Sequence, residues 1–215
     1  MTYLEMVNNI LKRLRERTVS SVNENAYSAL IGILINDAKQ EIEDAWDWSG
    51  LRTTLTLSAT PSVFSYELNG AKNKIKVLDV WNSTDQLEMK YADAHWMNKV
   101  FNVSDVQSAS PMYYSFNGLS ADGDTLVDIY PIPDNNYTIF FNCVVRSPEL
   151  VTENDSPLIP VQPILMLAYA KAVEERGEDG GVGSSAAYAT AARSLNDAIS
   201  LDAIKHPEEL IWSAV

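Results

Sequence analysis

The spacing of apolar residues changes twice along this chain, and these changes limit the folds that it can adopt. Leu4, Val7, Leu11 and Leu14 recur at helical intervals, and a helical period continues to about residue 48. From about residue 53 to 146 apolar and polar residues alternate, as in strands, and the helical period then returns. We therefore predict an α+β protein in which both chain ends form a helical bundle and the middle forms an inserted antiparallel β-sandwich or barrel-like domain.

The same changes of period give the expected domain boundaries. The N-terminal helices of the bundle should occupy residues 1–52, and the β domain residues 53–146. Residues 147–163 contain four prolines and are expected to form a linker. Residues 164–206 should supply the C-terminal helices that complete the bundle, and residues 207–215 should form a tail that binds a partner.

Within the bundle, the helices that follow the first one can be placed from their apolar stripes and their end signals. Ala26–Trp48 should form one helix, and its broad apolar arc is suited to contact both the first helix and a C-terminal helix. The helix Ile164–Arg176 should end at Gly177, which can adopt the left-handed conformation of a helix cap. The last helix should run over Ser184–Lys205, with Leu201 among its packing residues.

In the alternating region we expect short strands separated by turns, with one short helix between them. Asn69-Gly70 and Asp122-Gly123-Asp124 are typical turn sequences. The expected strands are 53–57, 63–68, 75–81, 87–91, 113–119, 126–130 and 137–146, and the expected helix is 93–101.

The charge of the chain argues against stable binding to duplex nucleic acid. Acidic residues outnumber basic ones by 29 to 16, the net charge is −13 and the pI is near 4.5. Proteins that bind phosphates need clustered Lys and Arg. One basic stretch, with Lys12, Arg13, Arg15 and Arg17, follows the polar side of the first helix and is interpreted as a solvated face. An acidic surface is compatible with a conduit through which DNA slides, and equally with plain solubility.

Residue types that commonly carry out chemistry are sparse. Cys143 is the single cysteine and lies in a strand-like segment, so we interpret it as a small buried apolar residue. His95 and His206 lie far apart and outside any ligand-spaced motif, and no Gly-x-Ser-x-Gly sequence is present. We therefore predict no catalytic residues, no metal and no cofactor.

The chain also lacks the sequence signals of a membrane or secreted protein. It has no run of about 18 apolar residues, as a membrane span would require. Its first residues do not combine an apolar segment with a small-residue cleavage site. We expect it to function in the cytosol or in a particle assembled there.

Two other functions compete with a structural role. Glu174 or Glu178 could serve a peptidoglycan hydrolase, because paired carboxylates hydrolyse glycosidic bonds, although a solvated helix end explains them more simply. A carbohydrate-binding β-sandwich module would instead need exposed, coplanar aromatic rings. The candidate aromatic residues, which at strand period are equally the core and rim of a sandwich, are Tyr113, Tyr114, Phe116, Tyr130, Tyr137, Phe140 and Phe141.

Trp46 and Trp48 lie where the helical period gives way to alternation. Two residues at this spacing cannot share one face of a helix, because helix faces repeat every three or four residues. We therefore expect the pair to pack at a hinge between the helical part and the β part, with burial in an ordinary core as the simpler interpretation of each side chain.

Several segments resemble a known family. They are Asn36-Asp37-Ala38-Lys39, Asp44-Ala45-Trp46-Asp47-Trp48, Tyr113-Tyr114-Ser115-Phe116-Asn117-Gly118, Ile129-Tyr130-Pro131-Ile132-Pro133 and Glu175-Arg176-Gly177-Glu178-Asp179-Gly180-Gly181. Together with the order of elements, they resemble the head-to-tail adaptors of short-tailed bacteriophages, also called tail tubular or head-tail connector proteins.

This resemblance implies a structural virion protein without catalytic activity. Such an adaptor would form a twelve-fold ring that binds beneath the portal vertex after genome packaging and carries the tail nozzle. The ring would form part of the DNA exit channel, through which DNA passes during ejection without specific binding. Its place would be the head-tail junction of the virion, after assembly in the host cytoplasm.

The apolar end of the chain gains a role from the same resemblance. Leu210, Ile211, Trp212 and Val215 follow the helix-stopping His206-Pro207, and such side chains are unfavourable in water. We predict that they bind the portal protein. The alternative is that the tail folds back on its own bundle and covers Trp46 or the basic first helix.

Overall fold

The computed structural model of this chain describes residues 1–72, 74–102, 106–177 and 182–205. Over these residues the chain combines helices with two β-sheets, so the predicted α+β class is confirmed. The helices are α1 (Tyr3–Arg13), α2 (Ala26–Ala45), α3 (Ala94–Phe101), α4 (Val161–Arg176) and α5 (Val182–Ala203), with a 3-10 turn at Ser49–Leu51. The strands are β1 (Arg52–Ala59), β2 (Ser65–Leu68), β3 (Ile75–Asn82), β4 (Leu87–Glu88), β5 (Lys90–Tyr91), β6 (Tyr113–Leu119), β7 (Thr125–Tyr130) and β8 (Tyr137–Val145).

The chain divides into two compact units. Met1–Leu51 and Arg146–Val215 belong to a helical unit, and Arg52–Val145 form a β unit. In the helical unit, α2 packs against both α1 and α4, as its broad apolar arc predicts, and α5 packs on α4.

The N-terminal helices begin at well-formed caps. Thr2 and Glu5 form a capping box at the start of α1, in which each side chain accepts a hydrogen bond from the other's backbone N–H. Asn25 and Ser28 make the corresponding box at the start of α2. The buried face of α1 consists of Tyr3, Met6, Val7, Ile10 and Leu11.

Both N-terminal helices end before the last residues that the sequence analysis assigned to them. Helix α1 ends at Arg13, and Arg15 has a φ of 61°, so Arg15 and Arg17 lie beyond the helix. Helix α2 ends at Ala45 rather than at the predicted Trp48, because Trp46 has extended backbone angles.

The first residues of the segment after β8 are hydrogen-bonded to α2. The side-chain amide of Asn36 exchanges two hydrogen bonds, each 3.0 Å, with the backbone of Leu150. Lys39 donates to the carbonyl of Ser147, whose hydroxyl donates to Glu43. The predicted linker 147–163 falls within the helical unit, and its first residues are held to α2 by these bonds.

Helix α4 shows how prolines and glycines set helix ends. It begins at Val161 rather than at the predicted Ile164, because Pro163 is tolerated in the first turn, where its missing N–H needs no partner. It ends at Gly177, whose φ of 61° confirms the predicted left-handed cap.

The β unit consists of two four-stranded sheets with strand orders β1-β8-β3-β4 and β2-β7-β6-β5. The strand pairs are antiparallel except β5 and β6, which run parallel, so the second sheet is mixed where an antiparallel domain was predicted. Both sheets contribute to one core, in which the rings of Tyr114 and Phe141 meet edge to face at 5.6 Å. The core includes Leu57, Ala59, Val80, Ile139 and Phe141 from the first sheet and Leu68, Tyr114, Val127 and Ile129 from the second.

Two predictions about single residues of the β unit are confirmed. Cys143 is buried, and this burial raises the pKa of its thiol to about 11. The predicted turn at Asp122-Gly123-Asp124 joins β6 to β7, with Gly123 at a φ of +80°. The carboxylate of Asp124 accepts a hydrogen bond from the backbone N–H of Lys72, which lowers the pKa of Asp124.

None of the helices in the described ranges is long and apolar enough to cross a membrane.

Candidate interaction site at the end of the last helix

Helix α5 packs against the rest of the helical unit through a narrow stripe of buried residues, which we call the seam. Its buried residues, Ser184, Ala191, Ala198 and Asp202, recur at multiples of three to four residues, so they form one stripe along the helix. The predicted packing residue Leu201 lies outside this stripe and is 69% exposed, so that prediction was wrong. The seam position in the last turn is occupied by Asp202.

The carboxylate of Asp202 connects the end of α5 to the segment that follows α2. It accepts hydrogen bonds from the backbone N–H and the hydroxyl of Ser49, at 2.9 and 2.6 Å. It also accepts from the indole N–H of Trp46 at 3.2 Å and from the ammonium of Lys205 at 3.1 Å. Four donors from two parts of the chain therefore converge on one acid.

This arrangement keeps Asp202 ionised. Burial by itself would raise its pKa, but the hydrogen bonds from Ser49, Lys205 and Trp46 act in the opposite direction and lower the pKa to about 2. The group is therefore a negatively charged anchor at ordinary pH, placed where α5 ends.

A shallow groove of about 320 Å³ lies between the start of α4 and the end of α5. We call it the C-terminal groove. Its apolar lining includes Pro160, Pro163, Ala198 and Leu201, and its polar lining includes Asp197 and Lys205. Ile204, in the turn that follows α5, is 71% exposed, and Leu158, shortly before Pro160, is 62% exposed. Exposed apolar side chains of this kind mark surfaces that bind other chains or segments.

A second exposed apolar surface lies on another part of the helical unit. Ile33 of α2 is 58% exposed, and Val151 is 75% exposed. They are near each other, because Asn36, one turn after Ile33, is hydrogen-bonded to Leu150. Helix α2 rises about 18 Å between Ile33 and its C-terminal end, which adjoins Asp202 through Trp46. The two exposed apolar surfaces are thus separate.

The predicted hinge residues both lie in the helical unit. Trp48 is buried, and its indole N–H donates to the carbonyl of Ile42 at 2.7 Å, which satisfies a carbonyl at the end of α2. Trp46 is half-buried and bonds to Asp202. The predicted portal-binding residues Leu210, Ile211, Trp212 and Val215 lie outside the described residues.

The basic end of α1 meets the end of α4. Lys12, Arg13, Arg15 and Arg17 are all exposed, as expected for a solvated face. Arg176 donates to the carbonyl of Leu14 at 3.0 Å and pairs with Glu16. Arg176 is one of the residues on which the family resemblance rests, and here it joins two helix ends.

Of the two carboxylates considered for hydrolysis, only Glu174 belongs to the described residues, and it does not lie in an enclosed site. Glu174 is exposed at the end of α4, where it accepts a hydrogen bond from the hydroxyl of Tyr188. Burial and this bond raise the pKa of Tyr188 to about 12. Glu178 lies outside the described residues, as does His206, and His95 is exposed on α3. Within the described ranges, no cluster of His, Cys, Asp and Glu has the makings of a metal site.

The aromatic residues considered for sugar binding are at least half-buried. Tyr114, Tyr137 and Phe141 lie in the core, whereas Tyr113, Phe116, Tyr130 and Phe140 are half-buried. Trp96 of α3 packs on Tyr113 and Tyr130, with ring centroids 5.0 and 5.6 Å apart. These rings therefore pack on one another rather than forming an open coplanar platform.

Sequence reasoning missed Asp202 and the buried pair Lys39–Glu43. A signal was present for Asp202, since it continues the spacing Ala191, Leu195 and Ala198 and so puts an acid in an otherwise apolar stripe. No comparable local signal marks Lys39 and Glu43, because a Lys–Glu pair four residues apart is usually found on exposed helix faces.

Comparison with known proteins identifies the family. The model of the SU10 adaptor protein family matches residues 1–208, a range that includes the described helices and both sheets. A search of curated proteins found no significant match. The resemblance to bacteriophage head-tail adaptors is thereby confirmed. The chain belongs to the SU10 adaptor protein family, a family of structural adaptors rather than of enzymes.

Proposed function

We propose that this chain is a ring-forming adaptor that joins the portal vertex of a bacteriophage head to the tail and lines part of the DNA exit channel. The observation that carries the proposal is the family match over residues 1–208. The ring has twelve subunits, binds the portal on one side and the tail nozzle on the other, and assembles in the host cytoplasm before it lies at the head-tail junction.

The two exposed apolar surfaces of the helical unit support a ring. In a closed ring with head-to-tail contacts, each subunit presents two different surfaces to its two neighbours. Ile33 with Val151 offers one such surface, and Leu158 with Leu201 and Ile204 offers the other. Each would be covered by a neighbour in the assembled particle.

Electron microscopy of the protein bound to portal tests the ring. We expect twelve-fold rings from the unmodified chain and markedly fewer from Ile33→Asp, which puts a charge into one contact. Gln40→Asp, at another exposed position of α2, is the matched control and should assemble normally. Monomers bound singly to the portal would contradict the ring.

The C-terminal tail is proposed as the portal-binding element, with Leu210, Ile211, Trp212 and Val215 as its contact residues. Fully burying a Leu or Ile side chain contributes about 1.5–3 kcal/mol, and ordering each residue of a free tail costs about 1–2 kcal/mol. One tail is therefore a weak ligand, and a ring of tails binds by multivalency.

Deletion of residues 207–215 separates tail binding from folding. The shortened protein should keep nearly the same melting temperature but no longer co-sediment with portal or with filled heads. Undiminished binding would show that another surface meets the portal.

The acidic composition supports the role in the channel. With a net charge of −13, subunits that line a pore repel DNA phosphates and limit adhesion. We also propose that Trp46 and Trp48 stabilise the hinge where the helical unit continues into β1, and that residues 53–146 form an inserted domain.

No catalysis is proposed for this chain. The purified protein should show no muramidase turnover. Joint replacement of Glu174, Glu175 and Glu178 by Gln should leave infectivity limited only by assembly. Turnover that this triple change abolishes would establish the hydrolase alternative instead.

A further inference from the structure

The C-terminal groove has features of a binding site for an extended segment. Its floor is apolar, with Pro163 and Ala198, and Leu201 stands at its edge with most of its surface exposed. Its volume, about 320 Å³, is at the lower end of the range for ligand pockets, and the groove is partly open to solvent. It therefore fits a few apolar side chains of a strand-like segment.

The position of the groove along the chain indicates the occupant. Lys205 is the last residue that the structure describes, and it lines the groove. The apolar triplet Leu210, Ile211 and Trp212 begins five residues later, so an extended chain can carry Leu210 no more than about 18 Å from Lys205. The triplet is therefore confined to the neighbourhood of the groove by its own tether.

The size of the groove argues for a tethered segment over a second copy of the chain. A stable contact between two proteins buries about 800 Å² on each partner, so a second copy would have to cover much more of the helical unit than the groove alone, as in the proposed ring. A segment joined by a short linker has an effective concentration in the millimolar range, so a weak site suffices to hold it.

We propose that, in the free protomer, the C-terminal groove binds the chain's own Leu210–Trp212. Asp197 and the anchored Asp202 border the groove, so the acidic Glu208 and Glu209 remain outside while the apolar side chains enter. This contact also covers the residues that the proposed function assigns to portal binding, until the portal competes for them. Only this second statement rests on the proposed function.

Disulfide trapping in the full chain tests the groove. Asp197→Cys with Ser213→Cys puts one thiol at the groove and the other next to the triplet, which stays intact. Asn196→Cys with Ser213→Cys is the matched control, because Asn196 is the adjacent residue, is also exposed and does not line the groove. Cys143 can remain, since it is buried.

We expect the groove pair to form an intramolecular disulfide at least about tenfold faster than the control pair, because binding raises the local concentration of the tail thiol. Equal rates in two correctly folded variants would overturn the proposal. Disulfides that form only between two chains would also overturn it and would assign the groove to another copy's tail.

Two further experiments distinguish a failure of this inference from a failure of the proposed function. Leu201→Asp should abolish the preference for the groove pair, and a preference that survives would show that the apolar edge does not hold the tail. Added portal protein should slow the groove disulfide by competing for the tail. A preference that is unaffected by portal would leave the groove contact standing and refute portal binding by the tail.

Discussion

At the scale of single residues, the helical unit is held together by buried charges that connect distant parts of the chain. Lys39, Glu43 and Asp202 are each at least nine-tenths buried, and burial of a charge is unfavourable unless it is paired. Lys39 and Glu43 lie 3.1 Å apart and both bond to Ser147, which fixes the chain where it leaves the β unit. Asp202 does the same for the end of α5.

Replacement of Asp202 by Asn should destabilise the helical unit in a pH-dependent way. Because its pKa is lowered from 3.8 to about 2, the ionised carboxylate contributes about 2 kcal/mol to the free energy of unfolding at neutral pH. This contribution is present above about pH 4 and is lost as the pH falls through the folded-state pKa, near 2.

Urea unfolding of the Asp202→Asn variant and of the unmodified chain, followed by circular dichroism, measures this difference. The gap should be full at pH 7 and should shrink between about pH 4 and pH 2. Asp197→Asn is the control, since Asp197 lies five residues earlier in the same helix and is exposed. A gap that stays constant down to pH 2 would contradict the ionic contribution.

Removal of one partner of the buried pair should cost more than removal of both. Lys39→Met leaves Glu43 buried without its cation, and such a loss typically costs about 3–5 kcal/mol. The double variant Lys39→Met with Glu43→Leu leaves no unpaired charge and should recover much of the stability. Denaturant unfolding of the three proteins tests this, and a double variant less stable than the single one would contradict it.

At the scale of elements, single residues end the helices in two different ways, through a side-chain hydrogen bond or through backbone conformation. Trp48 ends α2 by offering its indole N–H to the carbonyl of Ile42, whereas Gly177 ends α4 through its backbone conformation. Glycine adopts a positive φ without the steric cost that a Cβ imposes. The first kind of end depends on tertiary packing, and the second can be recognised in the sequence.

Gly177→Ala should therefore lower the stability of the protein by about 1 kcal/mol, since its φ of 61° disfavours a residue with a Cβ. The cause is conformational, because among the described residues, its chain neighbours aside, no atom lies within 4 Å of the added Cβ. Gly177→Asn is the matched control and should cost less, as Asn tolerates this conformation better. Equal losses for Ala and Asn, measured by thermal unfolding, would point to another cause.

At the scale of the whole molecule, the net charge and the exposed apolar surfaces favour the same kind of interaction, which is association with protein without adhesion to DNA. The chain has a large negative charge, and its helical unit exposes apolar side chains at two separate surfaces. The first property opposes adhesion to DNA, and the second favours association with protein. The adaptor role proposed above makes use of both properties.

The free protein should not retain duplex DNA in a gel-shift assay at about 150 mM salt, because few cations are available to replace phosphate counterions. The four basic residues at and just beyond the end of α1 should be too few to reverse this. Binding that falls steeply with added salt, and that is lost when Lys12, Arg13, Arg15 and Arg17 are replaced by Gln, would contradict the prediction.

The sequence alone determined the class of fold and most of its elements, because these follow from local signals. Strand β1 alternates polar and apolar residues from Thr54 to Ala59, and the starts of α1 and α2 carry capping residues. The family resemblance was also available from short segments. Each of these signals depends on residues that are close in the chain.

Tertiary structure decided what depends on contacts between distant residues. The prediction that Leu201 packs was wrong because the face that α5 buries is chosen by α4, and that choice turned Asp202 inward and Leu201 outward. Two of the partners of Asp202, Trp46 and Ser49, lie more than 150 positions away. A local pattern cannot encode such pairs, since they form only when the folded helices bring both groups out of water together.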